Sequence, residues 1–207
     1  MKRIAVLASG GGTNLQAVMD ACERGEIAGE VALVVVNRKA AYARERAKAK
    51  GIKTKYLNKT QFDSPEAMDK AMLELFREEK IDVVVLAGYL SILGHETIAA
   101  YENRILNTHP ALIPSFCGMG FWGHHVHQAV LDYGAKLSGR TVHLVTEEPD
   151  GGPIVLQQSV PVLEDDDADT LAARILPVEH QLLPRAVAYL CADRLVVEGR
   201  KVTIKGE

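Results

Sequence analysis

The sequence predicts an α/β fold, a mostly parallel doubly wound sheet extended by an antiparallel C-terminal part. Three observations predict it. Short β-branched runs alternate with helical patterns through the first half. Runs such as "VALVVV" and "DVVVLAG" are apolar without alternation, as strands covered by helices on both faces are. The second half instead holds "KLSGRTVHLVTEEPDGGPIVLQQSVPV", two long strand-like runs around an Asp-Gly turn, which is the pattern of an antiparallel pair.

The elements follow in order. "RIAVLAS" reads as a buried strand, and "NLQAVMDACERG" places Leu15, Val18, Met19 and Cys22 at helical spacing before Gly25 closes the turn. "VALVVV" is the second strand and "AYARERAKAKG" the second helix, ending at Gly51. After a short extended "KTKYL", Ser64 is positioned to cap a third helix with Pro65 at its first position. "DVVVLAG" is the next strand, and the short run Ile105-Leu106 leads into Asn107-Thr108-His109-Pro110. A long helical segment from about Asp169 to Asp193 contains Pro177, which should kink or break it if interior. "LVVEGRKVTI" reads as a small terminal hairpin.

A chain of 207 residues is long enough for one well-buried core, so a single domain is expected over residues 1–207. A net charge of -3 with 25% charged residues argues against nucleic acid as a partner. Cys22, Cys117 and Cys191 are widely spaced and form no CxxC, which suits a reducing compartment. No apolar run approaches the roughly 20 residues of a membrane span, and the N-terminus lacks a signal-like core. A cytoplasmic protein is expected.

Ligands of such sheets bind outside the carboxyl ends of the strands, near the switch in strand order. The residues there are Ser9 to Asn14, Asn37, Gly88 to Leu93 and Asn107 to His109. In "ASGGGTNLQ", three glycines let the backbone approach a ligand, and the free N–H groups at the helix start suit a phosphate. A dinucleotide fingerprint is absent, because Leu15 stands where a third glycine is required, and no P-loop lysine follows. A glycine-rich connection without ligand is the plainer alternative. In an extended segment Asn107 and His109 project to one face and Thr108 to the other, which sets an amide beside a titratable imidazole. Asp150, in "TEEPDGGPI", reads as a turn residue whose carboxylate can also reach an imidazole elsewhere.

Together "SGGGTNLQA", "DVVVLAGYLSIL", "ILNTHPALIP" and "EEPDGGPIVLQ" resemble the folate-dependent glycinamide ribonucleotide formyltransferases, in order over nearly the whole chain. The resemblance implies a Rossmann-like formyltransferase fold, with residues 1–105 the nucleotide- and phosphate-binding half and 106–207 the folate-binding and catalytic half. It implies transfer of a formyl group from 10-formyltetrahydrofolate to the amine of glycinamide ribonucleotide, a step of de novo purine biosynthesis. Hydrolysis of 10-formyltetrahydrofolate, or another folate-dependent formyl transfer, is the alternative. Asn107, His109 and Asp150 take the catalytic roles, the first two as donors to the developing oxyanion. Asp150 is expected to raise the pKa of His109 and keep its proton available. Gly12, Thr13 and Asn14 match the phosphate site and Glu179 a carboxylate on the ribose. Leu90, Ser91, Ile92, Leu93 and Ile98, with Asn107 and the loop Val145 to Asp150, match the folate pocket.

The chain departs from the family at three places. Ser91 stands where many members carry Arg, Pro65 lies where some place another Arg, and Leu176 replaces a polar or basic residue. The loop "SFCGMGFWGHHVHQAVLDYG" is longer than in the shorter members, with Phe121 and Trp122 expected to anchor it. Its His124, His125 and His127 do not have the spacing of a closed metal site, and no metal is expected. Small-molecule substrates are the expected partners, acting on a monomer or homodimer.

Overall fold

Strands and helices alternate in the expected order. The structure, a computed structural model, describes residues 1–206. β1 (Lys2–Ala8), α1 (Thr13–Glu23), β2 (Gly29–Val36), α2 (Ala43–Ala49), β3 (Lys53–Tyr56), α3 (Pro65–Glu78), β4 (Val83–Leu86), α4 (His95–Ala100) and β5 (Ile105–His109) come first. α5 (His124–Tyr133), β6 (Leu137–Leu144), β7 (Ile154–Pro161), α6 (Ala168–Cys191), β8 (Leu195–Glu198) and β9 (Lys201–Ile204) follow. Seven strands form one sheet in the order β3-β2-β1-β4-β5-β6-β7, and β8–β9 form a separate hairpin. β1, β2, β3, β4 and β5 pair in parallel. β6 and β7 extend them antiparallel.

The central strands are apolar on both sides because both sides are covered. Ile4, Val6, Val34, Val85 and Leu106 pack with α1 and α6, while Leu7, Leu33, Val84 and Ile105 pack with α3 residues such as Phe76. The strand order reverses between β1 and β4, so the crevice for a ligand lies at their carboxyl ends. The boundary expected at residue 105 falls at the start of β5, inside this continuous sheet.

Local signals explain most boundaries. Ser64 accepts the Ala67 N–H at 3.1 Å and Pro65 opens α3. Gly12 precedes α1 at φ +73°, and a Cβ there would lie 2.8 Å from the Ala43 backbone. Gly12→Ala is therefore expected to cost about 1–3 kcal/mol, read as a lower urea midpoint. An unchanged midpoint would show that α2 moves aside without cost.

Of the kink or break expected at an interior Pro177, the break is absent, since α6 runs through both Pro177 and Pro184 over 24 residues. Its inner face buries Leu171, Ile175, Leu182, Leu183, Val187 and Leu190. Burial worth about 1.5–3 kcal/mol for each large side chain outweighs the roughly 3 kcal/mol that each interior proline costs.

Candidate active site

The carboxyl end of β4, with Arg38 after β2, builds one rim of a cleft of about 760 Å³. Ser9 Oγ accepts the Leu90 N–H at 2.8 Å, and Asn37 donates to Ser91 Oγ at 2.7 Å. Asn37 is held in turn by Asn58, which donates to its carbonyl at 2.7 Å. These bonds fix the chain that leaves β4, and Leu90, Ser91, Ile92, Leu93 and Ile98 all line the cleft. Asp69, from α3, accepts the Glu96 N–H at 2.8 Å and so caps α4 at the far end of that loop. The Ser91 hydroxyl oxygen thus accepts from Asn37, and its own O–H is left to donate. Leu90 and Ile92 stay 45% and 69% exposed, as a rim that receives a flat ligand requires.

The opposite wall is the end of β5, and its alternation divides the polar groups as expected. Asn107 and His109 share a face, and Asp150 meets both: Asn107 Nδ2 donates to Asp150 Oδ1 at 3.3 Å, and His109 Nδ1 lies 3.4 Å from Oδ2. Asp150 also accepts the Gly118 N–H at 2.9 Å. The turn that carries Asp150 holds it at φ +55°, a left-handed conformation that Asp tolerates better than most residues. Phe116, at φ +51°, turns its carbonyl to accept His109 Nε2–H at 2.8 Å. Two strained residues therefore aim acceptors at one imidazole.

His143 is a member of this cluster that sequence reasoning missed. It stands directly opposite Asn107 in the β5–β6 register, with Nε2 3.0 Å from Asn107 Nδ2 and 3.5 Å from Asp150 Oδ1. Its Nδ1–H donates to the Leu144 carbonyl at 2.9 Å, which turns Nε2 toward the cluster. Only the antiparallel register brings it there, and no motif announces it.

Burial pushes the His109 imidazole below its ordinary value, although the Asp150 charge and the Phe116 carbonyl pull it upward. Asp150 raises this pKa as expected, but desolvation is the larger effect, so the expectation that the ring keeps its proton is corrected. Asp150 itself is pushed up by burial. Contact with His143, the His109 charge and the Gly118 N–H outweigh that and leave its carboxyl below the usual range. At neutral pH the site pairs an ionised carboxylate with a neutral imidazole.

Thr108 projects to the other face, and what it meets there was not foreseen. Its hydroxyl donates to Glu179 Oε1 at 3.2 Å and accepts Arg140 Nε–H at 3.1 Å, while Arg140 Nη2 pairs directly with the same Oε1. Glu179 is 3% exposed. Glu179 is therefore not a solvated helix residue. Burial pushes Arg140 below its ordinary value, and Glu179 is the counter-charge that keeps a cation tolerable there.

Gly12, Thr13 and Asn14 lie away from the cleft wall. Thr13 lines a second hollow of about 370 Å³ with Arg46 and His180. No side chain caps the start of α1, so its first N–H groups stay open. Asn14 is buried and its Oδ1 has no partner among the described residues. α6 joins the two places, with Glu179 on the cleft and His180 on the hollow.

Phe121 packs edge-on to Phe116 at 6.4 Å and anchors its loop. Trp122 does not, being 51% exposed on the cleft rim with its ring 4.6 Å from that of His125. The histidines of this segment differ in their surroundings: His124 Nε2 lies 3.0 Å from Asp169 and its ring 6.2 Å from that of His127, which is buried with Nδ1 unpartnered among the described residues.

Burial and the nearby Arg140 charge push His127 down to about 4 from an ordinary 6.5. The unfolded chain therefore binds the proton first, and stability is lost as pH falls from 6.5 toward 4. The full effect is about 3 kcal/mol for this group. His127→Phe is expected to flatten the fall in thermal midpoint between pH 7 and 5. An unchanged slope would assign the acid sensitivity elsewhere.

The formyl transferase family model matches residues 2–187. The chain is 40% identical to a chloroplastic phosphoribosylglycinamide formyltransferase of Vigna unguiculata over 94% of its own length, and spans 62% of that protein. It is 39% identical to the phosphoribosylglycinamide formyltransferase of Escherichia coli (strain K12), a match covering 99% of this chain and 94% of the relative. The solved structure of glycinamide ribonucleotide transformylase 1 from Symbiobacterium toebii has 43% identity and a TM-score of 0.93, over 99% of this chain and 94% of that one. Because the family match runs through the glycine turn, the Asn107–His109 strand end, Asp150 and Glu179, the chain belongs to the formyl transferase family.

Proposed function

We propose that the protein transfers the formyl group of 10-formyltetrahydrofolate to the amine of glycinamide ribonucleotide, releasing tetrahydrofolate in de novo purine biosynthesis. The observation that carries this reading is the meeting of Asn107, His109 and Asp150 on one wall of a cleft large enough for a folate. Leu90, Ile92, Leu93 and Ile98 offer apolar cover for the flat heterocycle, and the Val145 to Asp150 loop offers backbone groups to its edge. A phosphate suits the open N–H groups of α1 beside Thr13. The nucleotide then runs along α6 from the hollow to the cleft, passing Glu179.

Attack of the amine on the formyl carbon makes a tetrahedral centre with a negative oxygen. Asn107 Nδ2 donates to that oxygen by giving up its long 3.3 Å contact with Asp150. His109 Nδ1, at 3.4 Å from Asp150, lies beyond ordinary hydrogen-bond length and is free to take a proton. The neutral ring accepts that proton from the attacking amine. The imidazolium so formed sits between two acceptors, Asp150 and the Phe116 carbonyl, and passes the proton to the departing folate nitrogen. This reading places the enzyme in the cytoplasm as a monomer or homodimer.

The test is incubation with 10-formyltetrahydrofolate, following tetrahydrofolate release with and without glycinamide ribonucleotide. Release that depends on the nucleotide, with formylated nucleotide as product, is the expected result. Equal release without it would mean hydrolysis and reject the transfer.

A further inference from the structure

Arg140, Thr108 and Glu179 form a closed ring of hydrogen bonds. Arg140 Nε–H donates to the Thr108 hydroxyl, that hydroxyl donates to Glu179 Oε1, and Arg140 Nη2 returns to Oε1. Three elements contribute one residue each: β5, β6 and α6. All three residues line the cleft, and none is exposed by more than 9%. A buried carboxylate without a counter-charge takes up a proton and stops accepting. Arg140 removes that option, and Thr108 fixes which oxygen is occupied. The contacts that Thr108 and Arg140 make run to Oε1, and Oε2 is the remaining oxygen of Glu179.

The chemistry of that remaining oxygen selects its ligand. An ionised oxygen whose cation is already satisfied repels a phosphate and accepts from a neutral donor, and a sugar hydroxyl is such a donor. Position agrees. Thr108 is one residue from both Asn107 and His109, a strand rise of about 3.3 Å, so the ring lies within a short linker of the reacting amine. We propose that Arg140 and Thr108 are positioning residues that hold Glu179 ionised and oriented to accept a ribose hydroxyl of the nucleotide. This deepens the formyl-transfer reading and rests on it.

The experiment is calorimetric titration of the full chain with glycinamide ribonucleotide and with its 2-deoxyribose analogue. The wild type is expected to prefer the ribonucleotide about tenfold, the worth of a hydrogen bond to a charged group. Arg140→Lys and Thr108→Val are expected to bring that ratio close to one, and Thr108→Ser to keep it. A strut that merely fastens α6 to the sheet would lower the thermal midpoint and leave the ratio intact, which would overturn the proposal. So would equal weakening of both nucleotides, or a wild type that does not tell them apart while still formylating the ribonucleotide. If neither nucleotide binds the wild type, the formyl-transfer reading falls as well. Should Arg140→Lys fail to fold, the Thr108 pair decides alone, since Val matches Thr in shape and Ser keeps the hydroxyl.

Discussion

Asn107→Ala and His109→Ala are each expected to lower turnover about 10²- to 10³-fold, with the affinity for glycinamide ribonucleotide retained. The reason is geometric. In the proposed reaction Asn107 acts through its amide, and His109 through Nδ1, 3.4 Å from Asp150. In the proposed reading the nucleotide is gripped elsewhere, at the α1 start and at Glu179. Single-turnover formyl transfer separates the chemical step from binding, and calorimetry reads the nucleotide affinity. A parallel loss of affinity and rate would show that the pair holds substrate and would remove it from the chemistry. His109→Ala should also abolish the acid limb of the rate profile, because the proton acceptor is gone.

Asp150→Asn is the second large effect, about 10²- to 10⁴-fold in turnover. One carboxylate touches Asn107, His109, His143 and the Gly118 N–H, so its charge acts on the whole cluster. Removing that charge withdraws the upward pull on His109 and leaves the downward push of burial. The acid limb should therefore move to lower pH as the plateau drops. The stability term has its own sign. The folded pKa of Asp150 is depressed, so its contribution is present above the ordinary carboxylate value and is lost as pH falls through the folded one. Urea midpoints above that range should be lower for Asp150→Asn than for wild type. An acid limb that stays in place, or moves upward, would remove Asp150 from control of His109.

The sheet was legible because its strands are apolar on both faces, a pattern that only a double cover of helices produces. Asn107 and His109 were legible because strand period and strand end together pick out a face. Asp150 was half legible: its residues spell a turn, and only resemblance gave it a partner. His143 and Arg140 were not. Both sit in the run "SGRTVHLV", and their place depends on a register, Asn107 against His143, that no local pattern encodes. Glu179 could be placed on a helix but not on its inner face, because a carboxylate is expected outside until its counter-ion is known. Pro177 left a kink or a break open, and the packing of the inner face of α6 keeps the helix continuous through it.

The alternation at the end of β5 has a consequence for how this enzyme can diverge. Thr108 serves one wall and its two neighbours the other, so deletion or insertion of one residue between Ile105 and Pro110 would exchange the walls and present each ligand with the wrong chemistry. Residue identities on this strand can drift one at a time, with graded losses. Its length cannot, and natural or engineered indels should be tolerated in the flanking loops and purged from these five positions.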